Sequence, residues 1–370
     1  AGIVQDLSFQ AATAPPSECP NTPMCFRSMS GRAASSATPA RASPAKSSVV
    51  AIAMLPVEPP APPAQNEFVI SPPYRPAPEL TIRPGVPKGA MHKLVMKSQD
   101  SKIYPGIARD KPGQVVPYER IVNVYIPAQL TPGSPAPFII VQDGNSPGYR
   151  DTLPPILDNL IHEKRVPPMI AVMVSSGGGD GFQSQRGLEY DTLSGVYATF
   201  IETEVLPRVS RELNVTFTTN PDGRATMGGS SGAACAFTMA WFHPELYRRV
   251  LSYSGTFVNQ ENPPHPEISR GAWEYHQTLI PNAPTKPIRI WLHNSQNDIG
   301  ANREEATLHN WVLANVHMAA ALRLKGYKYR YVYAEGAGHV DGAVVKQTLP
   351  SALEWLWEGY KPSEPSAPAR

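Results

Sequence analysis

From Lys88 onward, short apolar runs alternate with longer amphipathic stretches, and this alternation constrains the fold more than any other feature of the chain. "PFIIVQDG" (137–144) and "PMIAVMVSS" (168–176) are continuous apolar runs, as expected of strands buried on both faces. "RATMGG" (224–229), "RRVLSYSG" (248–255), "IRIWLHNS" (288–295) and "YRYVYAEG" (329–336) repeat the pattern. "YERIVNVYIP" (118–127) alternates polar with apolar residues and suits a half-exposed strand. Between these runs the sequence predicts helices over 153–163, 193–213, 231–242, 305–325 and 345–359. In the fourth, Leu308, Trp311, Val312, Met318, Ala319 and Leu322 mark one apolar face. Strands and helices taking turns in this way predict an α/β fold, with a mostly parallel central sheet and helices on both faces.

The amino-terminal part has a different texture. Residues 11–87 are rich in Pro, Ala and Ser and sparse in aromatic residues, so they bury too little apolar surface to offset their ordering entropy. Arg27, Arg32, Arg41 and Lys46 lie in a stretch without acidic residues between Cys19 and Val57. That composition suits an export or organelle-targeting leader, with a plain linker in a cytoplasmic protein as the alternative. The expected organisation is a largely disordered leader or linker over 1–66, a catalytic domain over 67–361 with an extended lead-in, and a tail over 362–370.

Charge and cysteine content exclude several classes. Lys and Arg number 33 against 31 Asp and Glu, a formal net charge of +2, so no global field favours nucleic acid. Three cysteines make no disulfide scaffold, and none has the spacing of a zinc site. Cys19 and Cys25 could bridge in an oxidising compartment, whereas Cys235 suits a core position. No apolar run approaches the roughly 18–20 residues that span a bilayer. No metal, cofactor or nucleic acid is expected, and the oligomeric state is open.

"GRATMGGSSGAACAF" (223–237) carries the chemistry. Gly228 to Gly232 matches G-x-S-x-G with Ser230 at its centre, between a predicted strand and a predicted helix, as a nucleophile elbow requires. Small neighbours let strand and helix approach around a strained serine. Ser231 lacks a glycine two residues to each side. A glycine-serine turn without chemistry is the competing reading.

A serine hydroxyl needs a base. His339, in "AEGAGHVDG", follows the last predicted strand and precedes the last helix. His162, His309 and His317 fall within helices, His92, His243, His265 and His276 lack a strand-end context, and His293 precedes the expected acid. Asp298, in "WLHNSQNDIG", then gives the order Ser, Asp, His. Glu304 and Glu305 are rivals for the acid, and Asp341 lies too near His339 in sequence. For an oxyanion hole, Ser231 offers one backbone N–H, and Gly144 or Asn145 in "VQDGNSPGY" offers the second. "SSGGGDG" (175–181) lacks the Gly-Lys-Ser/Thr of a phosphate loop and, with no helix expected to start there, reads as a flexible loop beside the cleft. Residues 256–285, with Trp273, Tyr275 and His276, are expected to form a lid or acyl-pocket wall, or else ordinary surface packing.

Taken together, "VNVYIPAQL", "IIVQDGN", "RGLEYDT", "EVLPRVSRELNV", the serine segment, "HPELYRRVLSYSGTF", "NSQND" and "GAGHVDG" stand in an order that resembles the esterase D family of α/β-hydrolases. The resemblance covers about residues 88–360 and is nearest the enterochelin (enterobactin) esterase and feruloyl esterase branch. It implies an α/β-hydrolase fold and a cofactor-independent serine esterase acting on a small ester, such as an aryl, feruloyl, acetyl-sugar or siderophore ester. It also implies an Arg-x-x-Glu element at Arg186 and Glu189 as candidate substrate-binding residues, beside Trp273 from the lid region. A Pro-rich segment stands where enterochelin esterases carry an amino-terminal domain, and no basic cluster suited to a catecholate iron complex is evident. Acyl transfer on the same fold, or ligand binding without catalysis, are the alternatives.

Overall fold

In the computed structural model, residues 66–106, 114–179, 184–260 and 270–361 are described. The expected leader, its export role, the Cys19–Cys25 bridge and the 362–370 tail lie outside these residues, Asn66 apart. Nine strands form one sheet: β1 (Glu67–Ile70), β2 (Ala90–Lys97), β3 (Glu119–Ile126), β4 (Phe138–Gln142), β5 (Ile170–Val174), β6 (Arg224–Gly229), β7 (Arg249–Tyr253), β8 (Arg289–Asn297) and β9 (Lys328–Gly338). Their order is β1-β9-β8-β7-β6-β4-β5-β3-β2. β2 pairs antiparallel with β3, and β3 with β5, while every other pairing is parallel.

The helices are α1 (Pro147–Arg150), α2 (Leu153–His162), α3 (Gln185–Tyr190), α4 (Val196–Phe200), α5 (Leu206–Leu213), α6 (Ser231–Phe242), α7 (Ile280–Asn282), α8 (Trp311–Leu324) and α9 (Gly342–Trp357). A π-turn over Ile201–Val205 joins α4 to α5. β4 and β5 are apolar but for Gln142 because both faces are covered. Phe138 and Ile140 face the layer containing α3 to α6 and α8, whereas Ile139 and Val141 face α2 and α9. α6 is buried on all sides from Ser231 to Trp241, which accounts for its alanines and for the absence of a polar stripe. Cys235 lies in that helix, buried, as expected of a core residue.

Several expectations are corrected. Helix 305–325 divides into a 3₁₀ turn over Glu305–Thr307 and α8, because Leu308 adopts a left-handed conformation (φ 56°) and Asn310 caps Leu313 N–H through its side chain. A short helix, α3, begins just beyond the "SSGGGDG" loop, whose last two residues, with the two that follow (180–183 in all), are outside the described set. Of the expected lid, residues 261–269 are not described, and Gly271 to His276 face inward. Tyr275 stacks edge-on against Phe237 of α6 and its hydroxyl meets Thr238 Oγ1 at 2.8 Å. Among the described residues, no helix is long and apolar enough to cross a membrane.

Candidate active site

Ser230 follows β6 directly and precedes α6, with φ 58° and ψ −130°. That conformation is costly for a residue with a side chain. Its backbone is held from both sides: its N–H donates to Tyr253 O at 3.0 Å, and its carbonyl accepts from Ala233, Ala234 and Thr256 N–H groups. The flanking glycines are demanded by contact. A Cβ on Gly228 would lie 2.4 Å from the Gly232 carbonyl carbon, and one on Gly229 would lie 2.8 Å from the Tyr149 hydroxyl oxygen. The turn can thus form only where strand and helix carry no side chains between them.

The β8–β9 pair supplies the acid and the imidazole. Their register is irregular between Ser295 and Asn297, after which Asn297 pairs with Gly338. The residues that directly follow the two strands are Asp298 and His339, so both side chains emerge at neighbouring strand ends. His339 Nδ1 meets Asp298 Oδ1 at 2.5 Å. Asp298 is buried, whereas the His339 ring is about a quarter exposed. Burial pushes the Asp298 carboxyl up, but the His339 hydrogen bond and charge, the nearby Ser254 hydroxyl and the Ile299 N–H together hold it below the usual carboxylate range. It is therefore ionised at neutral pH.

The His339 loop is fixed against the serine's strand. Val340, at φ 45°, donates its N–H to Ser254 Oγ at 3.1 Å, and a Cβ on Gly229 would lie only 3.0 Å from a Val340 methyl. The residue after the histidine thus packs on the residue before the serine. In this structure the Ser230 hydroxyl bonds to Thr256 Oγ1 at 3.3 Å, and the same Thr256 oxygen accepts from Trp311 Nε1 at 3.2 Å. Trp311 also presents its ring edge-on to His339, at 6.4 Å between centroids. Thr256 and Trp311 come from the loop after β7 and the start of α8, and no local motif announces either.

On the other side of Ser230, Asp143 leaves β4 in a left-handed conformation (φ 53°) and its carboxylate takes both Nε and Nη2 of Arg186. Of the two candidate donors after β4, Gly144 spends its N–H on Val174 O at 3.2 Å, continuing the strand pairing. Asn145, whose side-chain oxygen accepts from Asn123 Nδ2, is thus the better-placed donor of the two. Ser231 is the first residue of α6, and its N–H belongs to the group that a helix start leaves outside its own ladder.

The remaining predicted residues scatter. Glu189 is fully buried and receives Arg120, Tyr118, Gln185 and the Gly177 N–H. Its carboxylate is consumed within the fold, unlike the ligand contact expected of it. Trp273 is buried against His276 and His317 and forms part of the core. Arg186 keeps a small exposed fraction at the site, paired with Asp143. Among the rival acids, Asp341 caps α9 through Ala343 and Val344, and Glu305 stands beside His317. No group of three metal-ligating side chains occurs among the described residues.

A mostly parallel sheet carrying a glycine-flanked serine at the β6–α6 turn, with an acid and a histidine at the next strand ends, defines the α/β-hydrolase class. Over residues 114–356 the chain matches the family described as "Putative esterase", and it belongs to that family. The enterobactin esterase of Shigella flexneri, crystallised with 2,3-dihydroxy-N-benzoyl-glycine, superposes with a TM-score of 0.53 at 19% identity over 77% of this chain and 63% of that one. The BES protein of Bacillus cereus gives 0.51 at 18% identity over 72% and 96%. The ferric enterobactin esterase of Salmonella typhimurium gives 0.50 at 18% over 72% and 58%. The chain spans about three fifths of the length of the enterobactin esterases it matches, and at these identities the likeness is one of fold. No curated protein sequence matches the chain.

Proposed function

We propose that the chain is a serine carboxylic-ester hydrolase in which His339 takes the proton of Ser230, Asp298 orients and balances the imidazole, and Ser231 and Asn145 donate N–H groups to the oxyanion. The observation that carries this reading is the Asp298–His339 hydrogen bond at neighbouring strand ends, on a loop packed against the strained serine turn. With Nδ1 engaged by the carboxylate, Nε2 is the nitrogen left to accept a proton. Rotation of the Ser230 side chain from Thr256 toward that nitrogen precedes attack, as unliganded sites commonly require. Ser230 Oγ then bonds to the ester carbonyl carbon, and the carbonyl oxygen becomes an oxyanion. Collapse breaks the C–O bond to the alcohol, which takes the proton from His339. Water repeats the sequence in the second half, with His339 taking its proton and returning it to Ser230, and the carboxylic acid leaves.

The substrate we favour is a small ester of the aryl, feruloyl, acetyl-sugar or siderophore type, bound beside the Arg186–Asp143 ion pair. The enterobactin esterase likeness supports a catecholate or related aromatic ester within that set. The test is a panel of p-nitrophenyl acetate, methyl ferulate, acetylated xylose and enterobactin, assayed with the wild type and with Ser230→Ala. The expected result is turnover of at least one ester, reduced about a thousandfold or more by the substitution. Undiminished turnover in Ser230→Ala would refute the assignment.

A further inference from the structure

The amino ends of the central strands lie at the edge of the sheet opposite Ser230, and there β7, β8 and β9 each open with a cation. Arg249, Arg289 and Lys328 stand in one register row across three neighbouring strands. Like charges directly opposite one another weaken a sheet, so such a row calls for compensation. Arg224, which opens β6, has a carboxylate partner of its own, since Glu202 receives its Nη2 through both carboxylate oxygens at 2.6 Å.

The compensation in the row is incomplete. Glu358 serves Arg289 and, at 3.9 Å, Lys328. Arg249 pairs with no carboxylate among the described residues. Its guanidinium donates to the backbone carbonyls of Asp222 and Leu356 and lies over the rings of Trp357 and Tyr360 at 5.4 and 5.7 Å. It is 6% exposed. Burial and, next, the charge of Arg289 hold its pKa down to about 10. Arg289 Nε is itself buried without a hydrogen-bond partner among the described residues.

These groups line a cavity of about 570 Å³, whose wall carries six cations and two carboxylates. Beyond the row, Arg248, Lys286 and Lys361 supply the rest of its positive charge, and Asp222 reaches Arg248 only at 3.4 Å. A single carboxylate ligand would leave most of this charge unmet, whereas a di- or triphosphate matches both its amount and the forked geometry of guanidinium groups.

We propose that this cavity is an anion-binding site for a polyphosphate group, in which the uncompensated Arg249 and the rim residue Arg248 are the main determinants of affinity. The site is separate from the ester chemistry, since the two occupy opposite ends of the same strands.

Titration calorimetry of the full chain with inorganic pyrophosphate and tripolyphosphate, at fixed ionic strength, tests it. One saturable site is expected, with a rise in Tm on binding. Arg249→Gln and Arg248→Gln should each weaken binding by about tenfold or more. Arg248 is partly exposed, so its variant decides the matter should Arg249→Gln fail to fold. Absence of saturable binding to the wild type, or wild-type affinity in a folded Arg248→Gln, would overturn the proposal. Ester turnover should be unchanged in Arg248→Gln, so failure here leaves the hydrolase reading untouched.

Discussion

Two buried histidines outside the proposed proton path should make the fold sensitive to mild acid. His293 in β8 is fully buried beside Tyr253 and Trp291, and neither ring nitrogen has a hydrogen-bond partner among the described residues. Burial above all lowers its pKa from 6.5 to about 4; the charge of His339 acts the same way, and Asp298 and Asp341 oppose it. His276, packed on Trp273 and His317, falls to about 3 through burial first and then the charges of His317 and Arg270. Both folded-state values lie below the unfolded one. The unfolded chain therefore binds protons that the native chain refuses, and stability is complete above pH 6.5 and drains away as pH falls through that value toward 4 and 3. Between about pH 7.5 and about pH 5, each ring costs on the order of 2 kcal/mol, or about 4 kcal/mol together. That is a large part of the roughly 5–15 kcal/mol typical of a domain. Urea melts at the two pH values read the effect directly. His293→Phe preserves the ring packing and removes two unpartnered nitrogens, so it should be no less stable near pH 7.5 and about 2 kcal/mol more stable near pH 5. If the double variant with His276→Phe loses as much stability on acidification as the wild type, the reasoning fails.

Three further outcomes follow from the geometry around Ser230. Gly228→Ala forces a methyl into the Gly232 backbone, and should lower stability by about 1–3 kcal/mol and displace the nucleophile; a thermal melt matching the wild type would contradict this. Asp298→Asn keeps the volume but sets an amide group against His339 Nδ1, so kcat/KM should fall by on the order of 10³–10⁴-fold, and a loss under about tenfold would remove Asp298 from its role. Thr256→Val strips a partner from Trp311 Nε1 and from the resting serine, and should cost about 1–2 kcal/mol of stability while turnover stays within about threefold. A hundredfold fall in turnover would make Thr256 part of the proton path.

The features legible in the sequence are those set by local pattern. Strands buried on both faces announce themselves as apolar runs, and the serine turn announces itself because backbone contact allows nothing but glycine at Gly228 and the Gln142 side chain crowds Gly232. The edge strands escaped notice for the same reason in reverse. β1 has four residues, and β2, "AMHKLVMK", mixes lysines and histidine with apolar residues because one side meets solvent. Roles fixed by distant partners were equally hidden. Nothing near Glu189 in sequence reveals that Arg120, far upstream, will claim it. Nor does "VQDGN" reveal that Val174 will take the Gly144 N–H. Leu308 fitted the helical face by spacing alone, and the Asn310 cap started the helix later.

The strained serine also explains why its neighbours are so heavily committed. A residue in this conformation costs about 1–3 kcal/mol and persists only where its surroundings over-determine it. Four backbone hydrogen bonds converge on Ser230, drawn from its own helix, from β7 and from the loop that carries Thr256. That loop is fixed in turn by α8, since Asn315 donates to Gly255 O and Trp311 donates to Thr256. Trp311 lies against His339 as well, so one helix start braces the serine's loop and the ring that would deprotonate it. The acid and histidine come from strands whose pairing is irregular just before Asp298, and Val340 closes the circuit on Gly229. Each catalytic candidate is thus positioned by the element that supports another, so a change that displaces the backbone of β7, α8 or the β9 loop should lower turnover.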